Sequence, residues 1–340
     1  MPEKLNRRVF VKKSLAVPAG LALARSFEER VLLANLAKKY ARKESKPAQE
    51  NSSLSVPTGK IGNICISRLI CGGNLIIGSA HDRDLIYVSD LLRHYFTDGK
   101  IIETWQLCEE VGINTMIGPV NSPYARGDDP TIRVYNRYRD EFGGKIQWIA
   151  QTYPKTTDLT GSIQTAIDNG AVGAFPHGEI GDRWVQHGRV DLLAKVIEFI
   201  KSSGLIAGIA CHNIKVPMAL EKAGIEADFY MKTLHHDNYW SATPKEQWPE
   251  WGNSRHDNMW CLRPKETIEF METVKKPWIG FKVLAAGAIH PRDGFKFAFE
   301  NGADFANVGM FDFQVRENSI IAGTVIDQIK RKGRPRPWMG

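Results

Sequence analysis

Five times along this chain an amphipathic stretch passes through a single glycine into an apolar run: EEVG-INTM at Gly112, IDNG-AVGAF at Gly170, KSSG-LIAGIA at Gly204, EKAG-IEADF at Gly224 and FENG-ADFANV at Gly302. A glycine just past a helix can take the left-handed conformation that closes the last turn, because it has no Cβ to clash. Each occurrence therefore marks a helix ending and a strand beginning. Three more apolar runs, ISRLICGGN (66–74), KIQWIAQTY (145–153) and WIGFKVLAAG (278–287), bring the strands to eight. Strands separated by helices cannot pair as hairpins, so the rhythm implies a parallel sheet.

Eight such units point to an α/β chain that closes as a (β/α)8 TIM barrel rather than an open doubly wound sheet. No G-x-G-x-x-G follows a strand to suggest a dinucleotide-binding Rossmann unit. The 340 residues exceed the about 250 of one barrel, and the excess lies at the front. NRRVFVKK (6–13) followed by SLAVPAGLALA (14–24) has a basic start, a short apolar run and an A-x-A ending, and resembles a twin-arginine export signal through Arg7, Arg8, Phe10 and Lys12. The apolar run is too short for a permanent membrane anchor. The expected division is a signal at 1–24, a helical and polar linker at 25–58, the barrel at 59–330 and a C-terminal tail at 331–340. The resemblance implies export of the folded protein by the twin-arginine machinery to a periplasmic or other extracytoplasmic location.

The net charge of +7 does not imply nucleic acid. Residues 1–24 carry five basic side chains against one acidic, and residues 25–60 eight against four, which leaves the rest of the chain near neutral. Five cysteines without a C-x-x-C pair give no redox or zinc motif, and Cys65, Cys71 and Cys211 fall in apolar runs as expected core residues.

In a barrel of this kind the chemistry sits at the C-terminal ends of the strands. His212, Lys232, His235, His236 and Lys282 all stand where an apolar run ends. Two connections, 75–100 and 237–264, are too long for ordinary loops and leave from strand C-termini, so they should form two insertions over the mouth. The first carries His81. The second carries Trp240, Trp248, Trp251 and Trp260, whose flat faces either line a sugar site or pack the insertion onto the barrel.

KIGNICISRLICGGN (60–74), EEVGINTM (109–116), GAFPHGE (173–179) and GIACHN (208–213) resemble, in order, the first, second, fourth and fifth strands of the aldo/keto reductase superfamily. Members are (β/α)8 barrels that bind NADP and reduce carbonyls with an Asp, a Tyr, a Lys and a His. The resemblance implies that His177 matches the family His, Tyr124 the Tyr, and Asn213 the asparagine at the nicotinamide amide. It breaks at Gly118 and Pro119, which stand near the expected Asp, and at Gln151 and Thr152, which stand where the Lys should be.

His177 and Glu179, two apart after the fourth strand, share a side in extended conformation and would form an acid/base pair. Glu179, His212 and one of His235 and His236 would make a ligand set for a divalent metal. Lys232 and Lys282, inside apolar runs, would bind or polarise oxygen. MKTLHH and GFKVLAAGAI also resemble the paired lysine strands of deoxyribose-phosphate aldolase, which implies a Schiff base. Asn74, His81, Tyr124, Gln151, His235, Trp240 and Asp312 are the expected substrate contacts, with Gly287 and Gly309 as backbone donors after the last two strands. Together these point to an exported barrel enzyme, aldo/keto reductase-like, acting on a small carbonyl or polyol of sugar origin. A metal-assisted or Schiff-base lyase, isomerase or aldolase is the alternative, and a non-catalytic barrel that binds a sugar or a partner protein is the third.

Overall fold

Gly112, Gly170, Gly204, Gly224 and Gly302 all take positive φ, between 65° and 102°, and each stands between a helix and the strand that follows. The computed structural model describes residues 55–81, 85–125, 127–252 and 258–340. The expected signal and nearly all of the expected linker lie outside the described residues.

Eight parallel strands close into a barrel: β3 (Leu69–Gly72), β4 (Thr115–Pro119), β5 (Gln147–Thr152), β6 (Gly173–Pro176), β7 (Ile206–Cys211), β8 (Phe229–Thr233), β9 (Trp278–Phe281) and β10 (Phe305–Gly309), with β10 pairing back onto β3. The expected (β/α)8 barrel is therefore present. Before it, β1 (Thr58–Ile61) and β2 (Ile64–Ser67) form an antiparallel hairpin that splits the run 66–74, because the strand register breaks at Ser67 and Arg68. Ile61 and Ile66 of this hairpin join the cluster inside the barrel. Cys65 lies on the hairpin and is exposed, correcting its expected burial; Cys71 and Cys211 are buried.

Around the barrel run α1 (Tyr87–Tyr95), α2 (Asp98–Glu110), α3 (Thr131–Phe142), α4 (Gly161–Asp168), α5 (Gly178–Gln186), α6 (Val190–Ser202), α7 (Lys215–Lys222), α8 (Pro264–Thr273), α9 (Pro291–Glu300) and α10 (Asp312–Lys332). The first insertion adds α1 to the usual set. No helix among the described residues is long and apolar enough to cross a membrane.

Side chains alternate across the strands, and the alternation decides which polar residues reach the mouth. Ile149, Phe175, Ile206, Ala210, Phe229, Met231, Ile279, Phe281 and Phe305 fill the barrel interior. Ala150, Ala174, Ala207, Ile209, Cys211, Tyr230 and Ala306 pack outward against the helices. Continuing the inward phase past the ends of β5, β6 and β7 leads to Tyr153, His177 and His212.

At the floor, Asp304 accepts Nη2 of Arg334 and Nη1 of Arg336, both at 2.7 Å, and the Trp278 N–H at 2.9 Å. Arg336 is fully buried and also donates to the carbonyls of Met271, Gly302 and Lys276. Residues 331–340, expected as a tail, thus run into a buried ion network under the barrel.

Candidate functional site

A cavity of about 760 Å³ opens at the C-terminal ends of the strands. Its wall holds Asn74, His81, Tyr124, Gln151, His177, Glu179, His212, Trp240 and Lys282 from the sequence expectation. Trp260, one of the tryptophans for which lining and packing were both open, also lines it, as do Tyr153 and Asn307, which sequence reasoning did not assign to the site.

His212 directly follows β7 in the inward phase. Its Nδ1 donates to Oδ2 of Asp182 at 2.7 Å, and Asp182 Oδ1 also accepts the backbone N–H groups of His212 at 3.1 Å and Asn213 at 2.9 Å. Asp182 lies on α5, which can approach only because two of its residues are glycine. A Cβ at Gly181 would stand 2.4 Å from the Ala210 carbonyl, and one at Gly178 would stand 2.8 Å from Cε1 of His212. Burial lowers the His212 pKa below its ordinary value, and the Asp182 carboxylate opposes that shift. With Nδ1–H committed to Asp182, the unprotonated nitrogen is Nε2, which has no hydrogen-bond partner among the described residues.

His177 caps α5, its Nδ1 accepting the Glu179 N–H at 3.4 Å, while its ring lies 4.9 Å from Tyr124 and 5.4 Å from Tyr153. Burial, then the charges of His212, Lys282 and Arg183, push its pKa down to about 3. It is therefore neutral and presents Nε2–H as a donor. The expected His177–Glu179 pair does not form. The strand ends at Pro176 and α5 begins at Gly178, so the extended geometry that would align the two is lost. Glu179 instead accepts the Tyr124 hydroxyl at 2.6 Å, and the Tyr124 pKa rises through burial and this bond. Gln151 donates to the Tyr153 hydroxyl at 2.7 Å, and burial pushes the Tyr153 pKa up to about 12.

Lys282 follows β9 at φ 56°, and Ala285, Ala286 and Gly287 are left-handed too. Non-glycine residues there are strained by roughly 1–3 kcal/mol each. The left-handed turn at Lys282 brings its ammonium into the cavity wall, where it donates to Nε2 of His81 and stands 4.3 Å above the Trp260 ring. Burial, then the Lys282 charge, holds the His81 pKa well below its ordinary value. Trp260 also packs on His212, with ring centroids 4.3 Å apart, so one indole joins the two groups.

Five expected site residues stand elsewhere. Lys232, 1 % exposed, follows the inward Met231 and points outward, where its ammonium donates to the Thr233 carbonyl at 2.9 Å and hydroxyl at 2.8 Å. His235 is a pin for the second insertion: Nε2 accepts the N–H groups of Trp260 at 3.1 Å and Cys261 at 2.9 Å, and Nδ1 bonds the His236 carbonyl at 2.8 Å. His236 turns its ring onto Phe297 of α9 at 5.5 Å. Asn213, one residue out of the inward phase, donates to the Glu250 carbonyl at 2.7 Å and accepts the Lys215 N–H at 3.0 Å. Asp312 accepts the Tyr95 hydroxyl and pairs with Lys100 at 3.1 Å, tying α10 to α1 and α2.

The expected ligand set is thereby separated: Glu179 and His212 line the cavity, whereas His235 and His236 do not. Among the described residues, no group of three or more His, Cys, Asp or Glu is arranged to hold a metal ion. Of the tryptophans in the second insertion, Trp260 forms wall and Trp240 stands 77 % exposed at the rim, while Trp248 donates to Thr243 within the insertion itself.

No protein-family model and no curated protein matches the sequence. Among solved structures, one from Pseudomonas aeruginosa, provisionally described as an aldo-keto reductase, is 14 % identical with a TM-score of 0.54, covering 82 % of this chain and 99 % of its own. A second of the same description and organism is 15 % identical with a TM-score of 0.53, covering 81 % and 98 %. At this identity the likeness is one of fold.

Proposed function

We propose that this barrel catalyses proton transfer at a carbon next to a carbonyl, an isomerase- or lyase-type reaction on a small hydroxylated carbonyl compound. The observation that carries this is the His212–Asp182 pair, which leaves an unprotonated Nε2 in a cavity wall shared with Lys282. His212 Nε2 takes the proton as the C–H bond breaks, and the electron pair moves into the carbonyl to give an enolate. Lys282 and the neutral His177 N–H offset the charge on its oxygen. The proton of the neighbouring hydroxyl then passes to the former carbonyl oxygen while His212 returns its proton to the former carbonyl carbon, so that the carbonyl has moved by one position; alternatively a β-hydroxyl leaves with the His212 proton as water. A positioned base of this kind contributes roughly 10²–10⁴ in rate.

Carbonyl reduction is supported by the fold likeness and by His177. The residues present do not fit a nicotinamide where the resemblance would put it. Asn213 spends its amide on Glu250 and Lys215 and does not line the cavity. Of the two lysines in the aldolase-like runs, Lys232 points away from the cavity and Lys282 lines it. The proposal includes export, which rests on the Arg7-Arg8 leader alone; replacing both arginines with lysine should retain the protein in the cytoplasm on fractionation.

The test is deuterium exchange from D₂O into a panel of aldoses, ketoses and hydroxy acids, followed by NMR. Carbon-bound deuterium next to the carbonyl is expected with wild type, and loss of it with His212→Gln. NADPH oxidation on the same panel without any exchange would overturn the proposal in favour of the reductase.

A further inference from the structure

We propose that the substrate is a hydroxy- or oxo-carboxylate and that its carboxylate docks at the N-terminus of α5, on the Gly178 N–H beside His212. This identifies the substrate class for the proton-transfer reading and rests on it.

α5 opens directly into the cavity, with Gly178 and Glu179 in the wall. The first N–H groups of a helix have no partner inside it and carry the positive end of the helix dipole, which favours an anion. Here the Ile180 and Gly181 N–H groups turn back onto the His177 carbonyl at 2.9 and 3.3 Å, and the Glu179 N–H reaches His177 Nδ1 only at 3.4 Å. The Gly178 N–H has no partner among the described residues.

A second observation points to a ligand at the same place. The His212 side chain is 4 % exposed, its Nδ1 is taken by Asp182, and its unpartnered Nε2 lies 3.4 Å from where a Cβ of Gly178 would stand. The His212 ring thus stands edge-on against Gly178, with Cε1 nearest, and both residues line the same cavity wall. A carboxylate on the Gly178 N–H brings its α-carbon to Nε2, the atom that removes the proton.

The neighbouring acids do not compete for the seat. Asp182 is filled by His212 and Asn213, and Glu179 is exposed and holds the Tyr124 hydroxyl. The positive charges of Lys282 and Arg183 act on His177 beside the seat, while the carboxylates of Asp182 and Glu179 act on His212.

Calorimetric titration of glycerate against glycerol, and of gluconate against glucitol, tests the seat. Wild type should bind each acid about tenfold or more tightly than its alcohol, the effect of a hydrogen bond to a charged group. Gly178→Ala and Gly178→Pro bring the same Cβ, but only proline, which is tolerated at the first helical position, removes the N–H. The preference for acid should fall about tenfold further in Gly178→Pro than in Gly178→Ala. Equal binding of acid and alcohol by wild type, no binding of either acid, or the same preference in both variants overturns the proposal. If neither variant folds, the Gly178 amide resonance of wild type decides: a shift with glycerate and none with glycerol supports the seat, and no shift with glycerate overturns it. Exchange on neutral ketoses without acid binding would sink the carboxylate seat alone. Acid binding without exchange on any compound would sink the proton-transfer reading alone.

Discussion

Replacing His235 with leucine should destabilise the protein by roughly 2–6 kcal/mol near neutral pH. The substitution keeps an apolar body of similar size but removes the acceptor for two buried N–H groups, those of Trp260 and Cys261, at about 1–3 kcal/mol each. Burial first, then nearby positive charge, pushes the His235 pKa down to about 4 from an ordinary 6.5. Because the folded-state value is depressed, the unfolded chain takes up the proton first. The stability that His235 contributes is thus complete above pH 6.5 and is lost progressively as pH falls from 6.5 to 4. At pH 4.5 that loss amounts to about 2.5 kcal/mol, at about 1.4 kcal/mol per pKa unit. The leucine variant has no such proton to take up, so the gap between the two proteins should narrow by that amount. Urea unfolding followed by tryptophan fluorescence at pH 7.5 and 4.5 measures both quantities, and His235→Gln, which restores one oxygen acceptor, should recover part of the loss. A leucine variant within about 0.5 kcal/mol of wild type, the range of an ordinary surface change, would refute the pin. So would a gap that does not change between the two pH values.

Asp182→Asn should leave the protein folded but flip the His212 tautomer, so that ¹⁵N shifts place the proton on Nε2 and exchange on any active substrate falls about 10²–10⁴-fold. Lys282→Met should raise the His177 pKa from about 3 toward 6.5 without reaching it, because burial is the larger cause; ¹H–¹⁵N titration of the imidazole reads the shift. Asp304→Asn should cost about 3–5 kcal/mol in denaturant unfolding, since it leaves the buried Arg334 and Arg336 without their shared carboxylate.

Much of the fold was legible because its signals are local. A positive-φ glycine after a helix and an apolar run of strand length are properties of a few consecutive residues, and all five glycine junctions have the conformation expected of them. The hairpin β1–β2 was missed because its alternation merges with the strand after it. In the site, Tyr153 lies two residues after Gln151 in the inward phase, a signal present in the sequence and not used. Lys232 and Asn213 were misplaced for the converse reason, each being one residue out of that phase. Asp182 was invisible as a partner of His212 because thirty residues separate them in the chain.

The order of residues is enough to show that this chain alternates helix and strand, that eight strands carry a closed barrel, and that the polar chemistry gathers at their C-terminal ends. Propensity, periodicity and glycine conformation act within a few residues and need no distant partner. Which polar residues face one another follows from how the elements pack. Lys282 enters the cavity through a left-handed turn, Lys232 stays behind the strand, and α5 approaches β7 closely enough for Asp182 to orient His212 because Gly178 and Gly181 leave room. Those outcomes depend on backbone direction and clearance between elements far apart in the chain, which no local pattern records.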